Sequence, residues 1–247
     1  MLVLLMNNPF RLTHLAALLV LSFTASSAHA EDTLWNLTFK DLKPGQALTE
    51  VPYVVPCSGP QKVTTDAQNT LAGAAAVGPL APALLYDKES GSHYMPALTL
   101  KAATPFTAGI ITVNLDIVFD TITPSAANTV ETLMAMPFID GDGGSTYILA
   151  IACSGPTSLT LGGIGLKKGS APANFTAGKV AHVKAVLDLN QHTFQVFLDD
   201  IPIAEAEHDD TKFSSFLGFT IRDGTAIGGN KGATFKAGIG NLVITHS

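Results

Sequence analysis

Basic residues are few in this 247-residue chain, and none of them cluster. There are 14 Lys and Arg against 20 Asp and Glu, a formal net charge of −6. An acidic chain without a Lys/Arg patch argues against nucleic acid and against anionic membrane surfaces as partners. Sulfated and other polyanionic glycans are disfavoured on the same ground. Cysteine is scarce too, with only Cys57 and Cys153, so neither a disulfide-dense scaffold nor a multi-cysteine metal site can be built. Aromatic residues make up only 7% of the chain, which is thin for a dedicated sugar-stacking protein. No apolar run reaches the roughly twenty residues of a membrane-spanning helix. No segment reads as a helix longer than two turns.

What is present begins with an export signal. Arg11 precedes an apolar run from Leu15 to Phe23, and Ala28-His29-Ala30 supplies a small-residue cleavage site. Those are the marks of a cleaved secretory peptide, so residues 1–30 are expected to be removed. Position 31 is Glu rather than Cys, which argues against a lipid anchor. The remaining 217 residues, with 13 basic and 20 acidic side chains and a net charge of −7, suit one all-β domain over residues 31–247. A secreted or periplasmic location follows. In such a compartment Cys57 and Cys153, each opening a Cys-Ser-Gly-Pro tetrapeptide, are expected to pair. That bond would close a loop of about a hundred residues, worth on the order of 4–5 kcal/mol in the chain-entropy model. Two separate buried thiols in similar turns are the other possibility.

Period-two alternation dominates the rest. From Lys179 to Glu205, Val183, Ala185, Leu187 and Leu189 alternate with polar neighbours, and Phe194, Val196 and Leu198 do the same after Asn190-Gln191-His192. Asp199-Asp200 breaks the run and Ile201-Pro202-Ile203-Ala204 resumes it, so a three-strand meander is predicted. Gly109 to Asp120 is the clearest core strand, with Ile111, Val113, Leu115, Ile117 and Phe119 on one face. Further strands are expected at Trp35–Phe39, Glu131–Ile139, Thr146–Ala152, Ser158–Leu161, Phe213–Ile221 and Phe235–Thr245. Between Val51 and Gly91, short apolar pieces divided by prolines suggest outer strands with wide turns. Many short strands punctuated by Gly, Pro and Asx turns indicate an all-β, two-sheet antiparallel jelly-roll sandwich.

The order of these pieces resembles the concanavalin A-like lectin/glucanase superfamily, and within it the laminin G-like branch. The carrying residues are Gly109 to Asp120, Phe138 to Ala152, and His182 to Asp200. The last stretch matches that group's histidine-valine, leucine-aspartate-leucine and valine-aspartate-glycine succession, with Asp200 where the glycine stands. Gly238-Ile239-Gly240-Asn241-Leu242-Val243-Ile244 resembles the group's last strand, with Gly240 in place of an aspartate. The resemblance covers about 140 residues of strand pattern and implies, in many relatives, a glycan site on the concave face or rim loops.

No catalytic signature accompanies it. A retaining glycanase needs two carboxylates about 5 Å apart, and no Glu-x-Asp-x-Glu-type strand motif occurs. Glu131, Glu205 and Glu207 are the glutamates in strand contexts, the last two running into His208-Asp209-Asp210. Thr234-Phe235-Lys236-Ala237-Gly238 resembles the tyrosine-phenylalanine-lysine-alanine-glycine strand of one alginate lyase family. The tyrosine is replaced, the family's arginine-x-glutamate-leucine and glutamine-x-histidine motifs are absent, and no Tyr follows Gly238. Asp140-Gly141-Asp142-Gly143-Gly144 offers Asp140 and Asp142 as candidate calcium ligands, completed by Asp116 or Asp120; the plainer reading is a glycine-rich hairpin turn. Tyr86, Tyr94 and Tyr147 are the candidate sugar platforms, while Trp35 reads as core. His93, His182, His192 and His208 have no partner at metal-ligand spacing and read as surface or satisfied residues. Asn36-Leu37-Thr38 and Asn174-Phe175-Thr176 match the N-glycosylation pattern. The sequence thus points to a secreted, non-catalytic binding module with glycan as the leading ligand. A protein-binding adhesion domain and a glycan hydrolase or lyase are the alternatives.

Overall fold

The structure, a computed structural model, describes residues 31–45, 69–89, 97–126, 129–145, 147–164, 173–207, 213–224 and 232–247. Cys57, Tyr94, His93 and His208 lie outside them. The described residues form fourteen strands in two antiparallel sheets, the jelly-roll sandwich that the sequence predicts. The larger sheet holds eight strands in the order β12 (Ile201–Glu207), β11 (Thr193–Leu198), β10 (Ala181–Asp188), β5 (Ile110–Thr123), β14 (Thr234–His246), β3 (Ala83–Lys88), β2 (Asn69–Ala74). The eighth, β1 (Asp32–Leu37), pairs with β14. The smaller sheet runs β4 (Leu98–Phe106), β13 (Phe216–Asp223), β6 (Glu131–Ile139), β7 (Ile148–Cys153), β8 (Ser158–Ile164), β9 (Ala173–Thr176).

β14 is shared by three strands. One edge pairs with β5 along nearly its whole length, while the other carries β3 beside its first half and β1 beside its second. Among the described strands β1 pairs with β14 alone, and Phe39 follows it with φ +57° while staying buried. The meander is β10–β11–β12, joined by hairpin turns at the predicted places. β4 and β9, both sheet edges, have no counterpart among the predicted strands. Their weak alternation (Leu98-Thr-Leu-Lys-Ala-Ala-Thr-Pro-Phe106) conveys little, because an edge strand buries fewer side chains.

Alternation turns Ile111, Val113, Leu115, Ile117 and Phe119 of β5 toward the smaller sheet, with Val183, Ala185 and Leu187 of β10 beside them, all buried. Phe138 from the smaller sheet meets Phe194 from the larger edge-on, with ring centroids 5.0 Å apart, and Phe219 at 5.2 Å. Aromatic contacts of that geometry add to the burial itself. A second link is ionic. Lys88 Nζ on β3 lies 2.8 Å from Asp223 Oδ2 on β13, with both side chains buried, and the Tyr86 hydroxyl two residues earlier donates to the Ile221 carbonyl at 3.2 Å.

Removing one member of a buried ion pair strands the other charge without solvent. Lys88→Met should therefore lower the unfolding free energy by about 3–5 kcal/mol in urea titrations. Combining it with Asp223→Leu should recover most of that loss. A single-variant effect below about 1 kcal/mol would contradict the assignment of this pair as desolvated.

Candidate functional site

The outward face of the larger sheet carries a polar group that alternation alone assembles. On β5, Thr112, Asn114 and Asp116 point away from the core and are half-buried. The register sets His182 of β10 beside Asp116 and Lys184 beside Asn114. On the other side, Gly240 of β14 pairs with Asp116 and Val243 with Asn114. Three steps on β14 thus match two on β5, so β14 carries an extra residue there, a β-bulge. The bulge turns Asn241 outward, with φ +46°, between inward-facing Ile239 and Leu242.

Asp116 is the hub. Its Oδ1 lies 2.9 Å from His182 Nδ1, and its Oδ2 accepts from Asn241 Nδ2 at 2.6 Å. The backbone of His182 is fixed from the far side, where its N–H donates to Asp199 Oδ1 and its carbonyl accepts from the Asp199 N–H, each at 2.8 Å. Asp199 and Asp200 have φ +50° and +64° and join β11 to β12 in two residues, the signature of a type I′ hairpin. This explains how the chain manages without the glycine that its resemblance leads one to expect: Asp tolerates the left-handed region better than most residues, and Asp199 is held there by its bond to His182. Lys184 Nζ sits 5.5 Å from the centroid of Phe197, within cation–π range.

One side of this face is walled. The Val77–Leu80 turn, closed by reciprocal backbone bonds of 2.9 and 3.0 Å, lies over the outward face and packs with Ala83 and Val118 in a small apolar cluster. It needs glycine beneath it: a Cβ at Gly238 would come within 2.8 Å of Val77 Cβ, and one at Gly240 within 2.9 Å of Leu80 Cδ1. A Cβ at Gly240 would meet the end of the flexible Leu80 side chain, which a small shift relieves, so the firmer packing constraint is at Gly238, against Val77 Cβ.

Of the residues singled out from sequence, Asp116 stands at the centre of this group; the other described candidate ligands fall elsewhere. Tyr86 and Tyr147 are not sugar platforms. Tyr86 shares the inward parity of Leu84 and Lys88 and is 0% exposed, and burial pushes its phenol far above the usual value. Tyr147 is 1% exposed and stacks on Phe194 at 4.7 Å. Tyr94 lies outside the described residues. Asp140 is buried and its Oδ1 accepts from Gly144 N–H at 2.7 Å; Asp142 is exposed on the same turn. Burial chiefly, then the charge of Asp142, raise the Asp140 carboxyl above its ordinary range, while the Gly144 N–H works against them. Asp116 and Asp120 do not join that turn, because they lie on β5 in the other sheet. Among the described residues no three His, Cys, Asp or Glu side chains stand close enough to hold a metal ion. Cys153 is buried at the end of β7, paired with Glu131 across the ladder, and burial raises its thiol pKa. Its expected partner Cys57 lies outside the described residues. Glu131 bonds Ser125 through both carboxylate oxygens.

No protein-family model matches the chain, and no curated protein sequence does. Solved structures do. Alginate lyase A1-II', a member of polysaccharide lyase family 7, is 11% identical, with 74% of this chain and 85% of that one covered at a TM-score of 0.49. The cellulose-induced protein Cip1 is 12% identical over 71% of this chain and 85% of its own, with a TM-score of 0.48. A sialidase is 15% identical over 72% of this chain, at a TM-score of 0.48, but this chain spans only 16% of the sialidase's length. These are likenesses of overall fold alone, at identities of 11–15% and TM-scores below 0.5. The Thr234–Gly238 segment sits in β14, and the residue that follows Ile239 is the glycine under Leu80.

Sequence reasoning overlooked His182 as a member of this site. Its parity with Lys184 was visible; its register against Asp116 was not.

At the type I′ turn, glycine at the second position relieves left-handed strain that Asp200 bears. Asp200→Gly should raise the unfolding free energy by on the order of 1 kcal/mol, read as an upward shift of the thermal midpoint. A lower midpoint would show that the Asp200 side chain contributes more than its backbone costs.

Proposed function

We propose that the chain is an exported, non-catalytic glycan-binding module of the laminin G-like kind, made of residues 31–247 after cleavage behind Ala30. Its binding face is the outward surface of the larger sheet around Asn114, Asp116, His182, Lys184 and Asn241. The observation that carries this reading is the Asn241–Asp116–His182 hydrogen-bond chain, set on paired strands and partly open to solvent. Sugars present hydroxyls that both donate and accept. Amide, carboxylate and imidazole groups held in fixed geometry on a rigid sheet are suited to reading them. Phe197, half-buried beside Lys184, adds apolar contact.

A protein-contact module would call for a contiguous exposed apolar patch. The exposed large hydrophobics among the described residues are Val130, Val180 and Ile201. A second reading, a glycan-processing enzyme, has one observation in its favour: an imidazole oriented by a carboxylate is the arrangement of a general base. The carboxylate pair of a retaining glycosidase has no support at this face, since both oxygens of Asp116 are engaged.

The test is a glycan-panel screen of residues 31–247, with calcium and with a chelator. The expected result is binding to one sugar class that ignores the chelator, because the face uses none of the Asp140–Gly144 turn. Asn114→Ala should weaken it about tenfold, the loss of one good hydrogen bond. Release of reducing ends or of unsaturated products would move the assignment to the enzyme reading. Absence of binding across the panel would overturn the glycan assignment.

A further inference from the structure

We infer that Asn241 and Asp116 lock His182 in the Nδ1–H tautomer, so that Nε2 faces the ligand as a hydrogen-bond acceptor for a neutral, hydroxyl-rich sugar. The ligand half of this inference rests on the function proposed above; the tautomer half does not.

The argument runs from donor and acceptor inventory. An ionised carboxylate can only accept, so the 2.9 Å contact between Asp116 Oδ1 and His182 Nδ1 requires the proton on Nδ1. In the neutral ring that leaves Nε2 with its lone pair. Among the described residues nothing bonds Nε2, and the His182 side chain is 39% exposed. By the same logic the Asn241 group facing Asp116 Oδ2 at 2.6 Å must be its NH2, which leaves the Asn241 carbonyl oxygen as a second outward acceptor. Asn241 is thus a positioning residue: it keeps Asp116 turned toward His182 from a β-bulge with positive φ, a conformation that costs free energy and persists where surrounding structure enforces it.

The charges around the imidazole are Asp116 on β5, Lys184 two residues along β10, and Asp199 and Asp200 in the turn that holds its backbone. β14 contributes the uncharged Asn241.

Long-range proton–nitrogen NMR of the nitrogen-15-labelled chain reads the tautomer directly. Wild type should show His182 protonated at Nδ1, and Asn241→Gly, which removes the amide but suits the positive φ, should shift the population toward Nε2–H. Sugar affinity should fall about tenfold in Asn241→Gly, where the outward nitrogen carries the proton instead of the lone pair. His182→Gln, whose amide oxygen can still accept, should bind, and His182→Phe should not. An Nε2–H tautomer in the wild type overturns the inference. So does sugar binding that is unchanged in His182→Phe. A wild-type chain that binds no sugar overturns the proposed function and the ligand class together, while the NMR result still decides the tautomer.

Discussion

β14 and β5 are paired along most of their lengths, yet the pairing is broken in register twice, once by an extra residue on each strand. At Lys236/Ala237 the extra residue belongs to β5, and Asp120 and Thr121 both turn outward between buried Phe119 and Ile122. Between Gly240 and Val243 it belongs to β14, and Gly240 and Asn241 both turn outward. Since side chains alternate with a period of two, each bulge resets which residues face the core. Without the second one, Asn241 would point inward among Ile239 and Leu242's neighbours, and the Leu242–Ile244 face would be turned to solvent. The same local defect therefore preserves the core and creates the polar face.

Burial explains why that face can be rigid. Phe138, Phe194, Phe219 and Tyr147 interlock between the sheets, and Lys88 with Asp223 crosses the sandwich at another point. A buried charge pair tolerates little displacement, because any separation leaves charge without solvent or partner. Together these contacts restrict sliding of one sheet over the other. The outward groups of β5 and β10 thus sit on a support whose inner side is packed, which is what a binding constellation needs for its geometry to persist.

Strand parity, not ring chemistry, decides where Tyr86 stands. Tyr86 falls on the Leu84–Lys88 face and is core. Its neighbour in sequence, Asp87, is the one that turns outward, to Lys236 at 3.1 Å. Asp140, a candidate cation ligand by sequence, accepts the Gly144 N–H of its own turn with one carboxylate oxygen, Oδ1. His182 was set aside because no partner lies near it in sequence; its partner is 66 residues away.

By itself, the sequence determined the class of fold and most of its strands. A half-buried strand repeats its hydrophobic pattern every two residues wherever it lies, so β5, β6, β10 to β12 and β14 were legible from local composition. Asx and glycine breaks marked the turns between them for equally local reasons. What only the tertiary structure decided was register: which residue of β10 lies beside which residue of β5, and that β14 gains one residue opposite Asp116. Register depends on how whole faces fit across the core, not on any single strand. The Asn241–Asp116–His182 chain is a product of register, drawn from three strands that no motif connects.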